Sequence, residues 1–174
     1  MLAAAPARIS WKLPPPSVYK LNFDALIFSD LNCSRFVAII HNEEGEEMAR
    51  MSVKGPLVHN SIEAEALVCR RIVQFSIEAG FSRLVIEGDN ALVMNAISCF
   101  AKNNSLRGHI FEDIQHLVRG LQYASINCVK RGGNMVAHSL ARHARTISDE
   151  MYWMEDSPPL AMDALYQDFL HINQ

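Results

Sequence analysis

The sequence lacks the features that mark membrane-spanning, secreted and zinc-binding proteins. No apolar stretch approaches the ~18–20 residues needed to cross a bilayer, and the N-terminus has neither the basic segment nor the long apolar segment of a secretory signal. The four cysteines are far apart and form no CxxC pair, so zinc binding has little support. We expect an intracellular chain, nuclear or cytoplasmic, with free thiols; the Ala-rich start, with Arg8 and no acids, leaves organelle targeting open.

Acids and bases are unevenly distributed along the chain, whose net charge is −3. Residues 149–174 contain six acids and no Lys or Arg, so the rest of the chain carries about +3. No acid occurs from Gln115 to Ser148, where five bases lie. A basic zone before an acidic tail fits phosphate contact, although two solvated surfaces of opposite sign would give the same composition.

Length and composition predict one globular domain: 174 residues, of which 49% are hydrophobic and 20% charged. Pro14-Pro15-Pro16 can neither continue a helix nor pair in a central strand, so the domain is expected to begin just after it. We therefore predict a proline-rich lead-in over 1–18, a domain over 19–148 and an acidic tail over 149–174.

Periodicity and capping signals predict nine elements within the domain. In chain order they are three strands, a helix, a strand, two helices, a strand and a helix: Tyr19–Asp24, Arg35–Asn42, Glu46–Val53, Asn60–Gly80, Arg83–Gly88, Asn90–Phe100, Leu106–Leu121, Ala124–Val129 and Asn134–Arg145. Strands that succeed one another directly, followed by β-α-β crossovers, predict an α/β fold with a five-stranded mixed sheet flanked by helices.

Three carboxylates are placed where this order would let them converge. Asp24 is predicted to end the first strand, whose polar face also carries Lys20 and Asn22, and Asp89 follows the fourth strand. Ligands of open α/β sheets gather at strand ends. Glu65 lies in the first turns of the first long helix.

Helical phase favours Glu65 over its neighbour Glu63. At 3.6 residues per turn, Glu65 shares an inward stripe with Cys69, Ile72 and Ser76, whereas Glu63 falls on a mostly polar face. A buried carboxylate needs a partner, which a metal would supply. Taken singly, Asp24 could open a turn, Asp89 could cap the next helix beside Asn90, and Glu65 could be a surface acid.

The chain resembles the plant ribonuclease H-like proteins related to the ribonuclease H domain of non-long-terminal-repeat retrotransposons. Five segments carry the resemblance, in the family's order: WKLPPP with YKLNFD (Trp11–Asp24), SIEAEAL (Ser61–Leu67), VIEGDN (Val85–Asn90), VKRGGNMVAHSLAR (Val129–Arg142) and YWMEDSPPL (Tyr152–Leu160). The resemblance implies the ribonuclease H fold and identifies Asp24, Glu65 and Asp89 with the acidic metal ligands.

Those ligands imply a divalent cofactor, Mg²⁺ or Mn²⁺. Two ions roughly 3.5–4 Å apart activate a water and stabilise the leaving oxygen in phosphodiester hydrolysis. Mg²⁺ prefers hard carboxylate oxygens, and this set contains no sulfur.

The fourth acidic position of the general ribonuclease H pattern is occupied here by His138. A neutral imidazole can bind or transfer a proton but holds a second Mg²⁺ less firmly than a carboxylate. On the last helix, His138 aligns with Arg142 and Arg145, while Val136, Leu140, Ala144 and Ile147 form the predicted apolar stripe. This phase favours a site-rim or phosphate-facing His138 over a core histidine, and the resemblance implies that His138 is a catalytic residue.

Glycines typical of the family are missing as well. Ala25 follows Asp24 directly, and Arg35 and Val37 stand near later glycine positions. Close approach of the backbone to substrate therefore cannot be assumed.

Nucleic-acid contact is predicted at Lys130, Arg131, Asn134 and Arg142, around the N-terminus of the last helix. The leading functional hypothesis is an endonuclease that cleaves RNA–DNA hybrids, with no membrane association and no obligate protein partner. A catalytically silent nucleic-acid-binding domain derived from a retroelement and a 3′-5′ exonuclease remain alternatives.

Overall fold

The computed structural model describes residues 11–99, 108–143 and 150–154. In chain order they form β1 (Tyr19–Phe28), β2 (Cys33–His41), β3 (Glu47–Gly55), α1 (Ser61–Glu78), β4 (Arg83–Gly88), α2 (Ala91–Ser98), α3 (Gly108–Arg119), β5 (Tyr123–Cys128), α4 (Met135–His143) and β6 (Met151–Met154). Two short 3₁₀ turns, Ser29–Leu31 and Arg131–Gly133, complete the set. All four cysteines are free, as expected. Within the described residues no helix is long and apolar enough to cross a membrane.

The strands form one mixed sheet in the order β5-β4-β1-β2-β3-β6. Strands β1, β2, β3 and β6 pair antiparallel, and β4 pairs parallel with both β1 and β5. The predicted α/β class and mixed sheet are confirmed, but the sheet has six strands rather than five. The additional strand, β6, lies within residues 149–174, which we expected to form an acidic tail outside the domain.

β6 is held to the body of the protein by side chains as well as by its pairing with β3. The Tyr152 ring lies 5.5 Å from that of Phe75 on α1, and its hydroxyl accepts a hydrogen bond from Arg71 Nη2 at 2.7 Å. A four-residue strand with acids around it gives a weak sequence signal, because its stability depends on a partner strand about 100 residues away.

α1 begins and ends as its sequence predicts. The Asn60 side chain accepts a hydrogen bond from the Glu63 backbone N–H at 3.0 Å, and Gly80 adopts a φ of 91° two residues after the last helical residue. The buried side of α1, which includes Ile72 and Val73, packs on β1. This face of the sheet, which also contacts α2, contains most of the hydrophobic core.

α4 covers the opposite face of β1 and β2. Among its described side chains, the small Ala137 and Ala141 are buried, and Ala141 and the partly buried Leu140 pack against Val37. The predicted apolar stripe is wrong at Val136, which is 56% exposed. Small side chains let the helix lie close to the sheet, so the contact selects alanines rather than the bulkiest apolar residues. Phe100, Leu106, Ala144, Arg145 and Ile147, which the predictions also used, lie outside the described residues.

Candidate metal centre

The side chains of Asp24, Glu65 and Asp89 converge. One carboxylate oxygen of each lies within 4.8 Å of one from both of the others. The register of β1 and β4 explains part of this, because their last parallel pair is Asn22 with Glu87. Asp24 and Asp89 each follow two residues later and so lie side by side where the two strands diverge. Glu65, in the first turns of α1, joins them there, and its Oε1 accepts a hydrogen bond from the Ala25 N–H of β1.

The sequence suggested that Asp24 ends β1, but it does not. The strand continues to Phe28 because β2 pairs with it from Lys20 to Phe28. The parallel pairing of β1 with β4, by contrast, stops two residues before Asp24. The carboxylate therefore lies where the paired part of these two strands ends. Asn90, rather than Asp89, caps α2 by accepting from the Val93 N–H at 3.3 Å, which leaves the Asp89 side chain for the cluster.

Glu65 is buried, with 5% of the residue exposed. It lies on the predicted inward face, where Cys69, Ile72 and Ser76 are buried too, whereas Glu63 is only half-buried. The Ala25 N–H donates to Glu65 Oε1 at 3.2 Å and to Asp24 Oδ1 at 2.9 Å. Among the described residues, Glu65 Oε2 has no hydrogen-bond partner.

The electrostatics of the cluster call for a cation. Burial, followed by the nearby charge of Asp24, raises the pKa of Glu65 to about 10. Burial and then Asp24 also raise the pKa of Asp89, while Arg131 and His138 oppose the rise. Three hard oxygen donors, one of them a buried atom with no hydrogen-bond partner in the described part of the chain, fit a divalent cation such as Mg²⁺ or Mn²⁺.

His138 completes the group from α4. Its Nδ1 lies 2.8 Å from Asp24 Oδ2, and 12% of its side chain is exposed. The structure therefore brings the imidazole to the carboxylates, as the motif predicted, although the helical phase that supported it misplaced Val136.

A cavity of about 530 Å³ opens onto the carboxylates. Arg131 also lines it, together with Ser61, Asn90 and Ala91. Lys130 and Arg142 are exposed nearby in the chain, on the turn before α4 and on α4 itself. Arg35 and Val37, which the sequence analysis placed near later glycine positions, do not line this cavity; both are buried in β2.

Asn134 does not fit the predicted contact with nucleic acid. It is 1% exposed, its Nδ2 donates to the Phe23 carbonyl at 2.9 Å, and its Oδ1 accepts from Asn22 Nδ2 at 3.2 Å. Both ends of the amide are bonded inside the protein, so Asn134 is removed from the proposed interface.

The polar face of β1 is buried rather than solvated, which sequence reasoning missed. Lys20 forms an ion pair of 2.9 Å with Glu87, and Asn22 donates to the same carboxylate at 3.1 Å. Alternation of polar and apolar residues shows two faces of a strand but not what covers the polar one. The available signal was a charged residue on the same face of each strand as a predicted ligand. On β1 this residue is Lys20, and on β4 it is Glu87.

Comparison with known proteins agrees with this architecture. A family model described as reverse transcriptase-like matches residues 22–144, and the chain belongs to that family. Ribonuclease H1 from the archaeon Halobacterium salinarum is similar in structure, with a TM-score of 0.66 and 19% identity over 74% of this chain and 98% of that one. The N-terminal RNase H domain of a Mycobacterium tuberculosis protein has a TM-score of 0.61 and 17% identity over 87% and 97%.

A third similar structure, LC11-RNase H1 isolated from compost, has a TM-score of 0.55 and 15% identity over 72% of this chain and 94% of that one. It was solved in complex with an RNA/DNA hybrid. These similarities establish the ribonuclease H fold. A search of curated protein sequences finds no match to the chain.

Proposed function

We propose that this protein is a ribonuclease that cleaves the RNA strand of RNA–DNA hybrids internally, with two Mg²⁺ or Mn²⁺ ions as cofactors. The observation that carries the proposal is the convergence of Asp24, Glu65 and Asp89, with a partnerless buried oxygen on Glu65 among the described residues. The similar ribonuclease H1 that binds a hybrid supports the choice of substrate.

The chain's own groups have distinct roles in this proposal. Asp24, Glu65 and Asp89 would hold the ions, whose bound chemistry is to activate water and stabilise the leaving oxygen. Arg131 lines the same cavity, where its guanidinium can contact a phosphate of the substrate. Lys130 and Arg142 would contact further phosphates. Recognition of RNA would come from 2′-OH groups and groove shape.

The direct test is a hybrid labelled in its RNA strand, incubated with Mg²⁺ or Mn²⁺. We expect internal cleavage by the wild type and by Glu63→Gln, the matched control on a neighbouring face of the same helix. Asp24→Asn and Glu65→Gln should lose about 1,000-fold or more in rate. Absence of cleavage by the wild type, with no difference from Asp24→Asn, contradicts the proposal. Trimming of single strands from a labelled end, with the hybrid intact, would indicate an exonuclease instead.

One observation favours a second candidate, a retroelement-derived domain that binds nucleic acid with little or no catalysis. His138 replaces the fourth acid and occupies Asp24 Oδ2 with a 2.8 Å contact. Fluorescence anisotropy with the same hybrid separates the candidates: binding that disappears in Arg131→Ala, without cleavage by the wild type, supports the second.

A further inference from the structure

The face of β1 that α4 covers is held together by polar contacts. Lys20, Asn22 and Asp24 follow one another along this face, and all three are buried. Glu87 on β4 is buried beside them. Burying such groups costs several kcal/mol unless each finds a partner, so the contacts that they make decide whether this face is stable.

Asn22 bonds through both ends of its amide. Its Nδ2 donates to Glu87 Oε2 at 3.1 Å and to Asn134 Oδ1 at 3.2 Å. Its Oδ1 accepts from the indole N–H of Trp11 at 3.0 Å. The three contacts fix which way the amide points, because reversing it would place the Asn22 donors against the indole donor.

Trp11 belongs to the segment expected to be a lead-in, yet it is anchored at three points. Besides its bond to Asn22, its ring packs edge-on against His41 at 4.9 Å. Lys20 Nζ lies 5.1 Å from the ring centroid and donates to the carbonyl of the adjacent Lys12. The indole therefore closes the end of the buried polar row.

Asn134 connects that row to α4. It joins two positions of β1, through Asn22 Nδ2 and the Phe23 carbonyl. Its own carbonyl accepts from the His138 N–H at 3.0 Å and so begins the helix. Among the described side chains of α4 the apolar contact is small: two alanines are buried, Leu140 is partly buried, and Met135 and Val136 are exposed.

We propose that Trp11, Asn22 and Asn134 are positioning residues that fix α4 on β1 so that His138 lies against Asp24. Asn134 sets the position of α4 along β1 by bonding to Asn22. Trp11 fixes the orientation of the Asn22 amide. An effect of these residues on kcat rests on the proposed function. Their effect on the position of α4 and His138 does not.

The test uses the full chain and three variants, with His138→Asn as a fourth for assignment alone. Asn134→Ala removes both side-chain bonds to β1. Trp11→Phe removes the indole N–H and the five-membered ring, keeps a smaller aromatic ring beside His41, and serves if Asn134→Ala does not fold. Ile97→Ala is the matched control, because Ile97 is buried in α2, away from this face, and its truncation destabilises the protein without touching α4.

Three quantities are measured at one fixed pH: amide hydrogen exchange of α4, the ¹⁵N chemical shift of His138 Nδ1, and kcat and KM for the hybrid. The Nδ1 signal is assigned by its disappearance in His138→Asn. We expect Asn134→Ala to increase exchange in α4, move the Nδ1 signal to that of a water-exposed imidazole and lower kcat about 10- to 100-fold, with KM changed less than about 3-fold. Trp11→Phe should change the α4 exchange, the Nδ1 signal and kcat in the same directions as Asn134→Ala, but by smaller amounts.

Ile97→Ala should leave the Nδ1 signal and kcat at their wild-type values. An unchanged Nδ1 signal and unchanged α4 exchange in both Asn134→Ala and Trp11→Phe would overturn the inference. Equal changes in Ile97→Ala would overturn it too, because they would show a general effect of lower stability. Failure of the wild type to cleave the hybrid would refute the proposed function alone, since exchange and the Nδ1 signal are measured without substrate.

Discussion

His138 on α4 and Asp24 on β1 are in direct contact, with 2.8 Å between Nδ1 and Oδ2. The contact joins residues 114 positions apart and places an imidazole where the general ribonuclease H pattern has a fourth acid. Asp24 thus has two kinds of neighbour, two carboxylates on one side and a group able to carry positive charge on the other.

Replacing this histidine by an acid should strengthen cation binding. His138→Asp adds a hard oxygen donor and a negative charge beside Asp24, so we expect Mg²⁺ affinity to rise by about 10-fold, measured by calorimetric titration. His138→Asn is the control, since it removes the imidazole without adding charge. If His138→Asp binds Mg²⁺ no more tightly than His138→Asn, position 138 does not act on the bound ion.

Stability of the metal-free protein should fall as pH rises. The folded-state pKa of Glu65, about 10, lies above its ordinary value of 4.5, so folding favours the protonated form. The resulting stability is fully present below pH 4.5 and decreases as pH rises towards 10, by at most about 1.4 kcal/mol per pH unit. Urea unfolding in EDTA at pH 5 and pH 8 measures the change.

Glu65→Gln should flatten this pH dependence, because the amide does not ionise, and should be more stable than the wild type at pH 8 without metal. Glu63→Gln should retain the wild-type slope. An identical slope for Glu65→Gln and the wild type would show that Glu65 is not the group responsible.

Arg131 and Lys130 should contribute charge rather than sequence selectivity to substrate binding. Each alanine variant should weaken hybrid affinity and reduce the slope of log Kd against log salt by about 1, the value for one phosphate that the protein no longer neutralises. Lys54→Ala is the control, because Lys54 lines a separate cavity with Arg70 and Arg71. A slope in Arg131→Ala equal to that of the wild type would mean that its guanidinium binds no phosphate.

The hydroxyl of Tyr152 should contribute to stability by joining β6 to α1. Tyr152→Phe removes the acceptor of the Arg71 hydrogen bond, and we expect the free energy of unfolding to fall by about 1–2 kcal/mol. Trp153→Phe, on the same strand with 42% of its surface exposed, should cost less than about 0.5 kcal/mol. Equal decreases in the two variants would argue against a specific role for the hydroxyl.

Elements whose signals are local could be predicted closely. β4 matches its predicted bounds, Arg83–Gly88, and the predicted N-cap of α1, Asn60, makes the expected hydrogen bond. Helical phase alone selected Glu65, because a helix with one buried face repeats every 3.6 residues. The same argument failed at Val136 of α4, because the described side chains that hold this helix to the sheet are Asn134, two alanines and a partly buried Leu140 rather than a continuous bulky stripe.

The sequence by itself determined the chain order of the elements from β1 to α4, since each depends on residues close together in the chain. Its resemblance to a known family predicted the three carboxylates that converge. Only the tertiary structure decided that β1 runs on past Asp24, that residues 151–154 add a sixth strand, and that Asn134 faces inward rather than towards nucleic acid. Each of these depends on a partner far away in the chain, β2, β3 or Asn22. A local sequence pattern does not identify such a partner, because strand pairing and buried hydrogen bonds depend on which residues lie opposite in space.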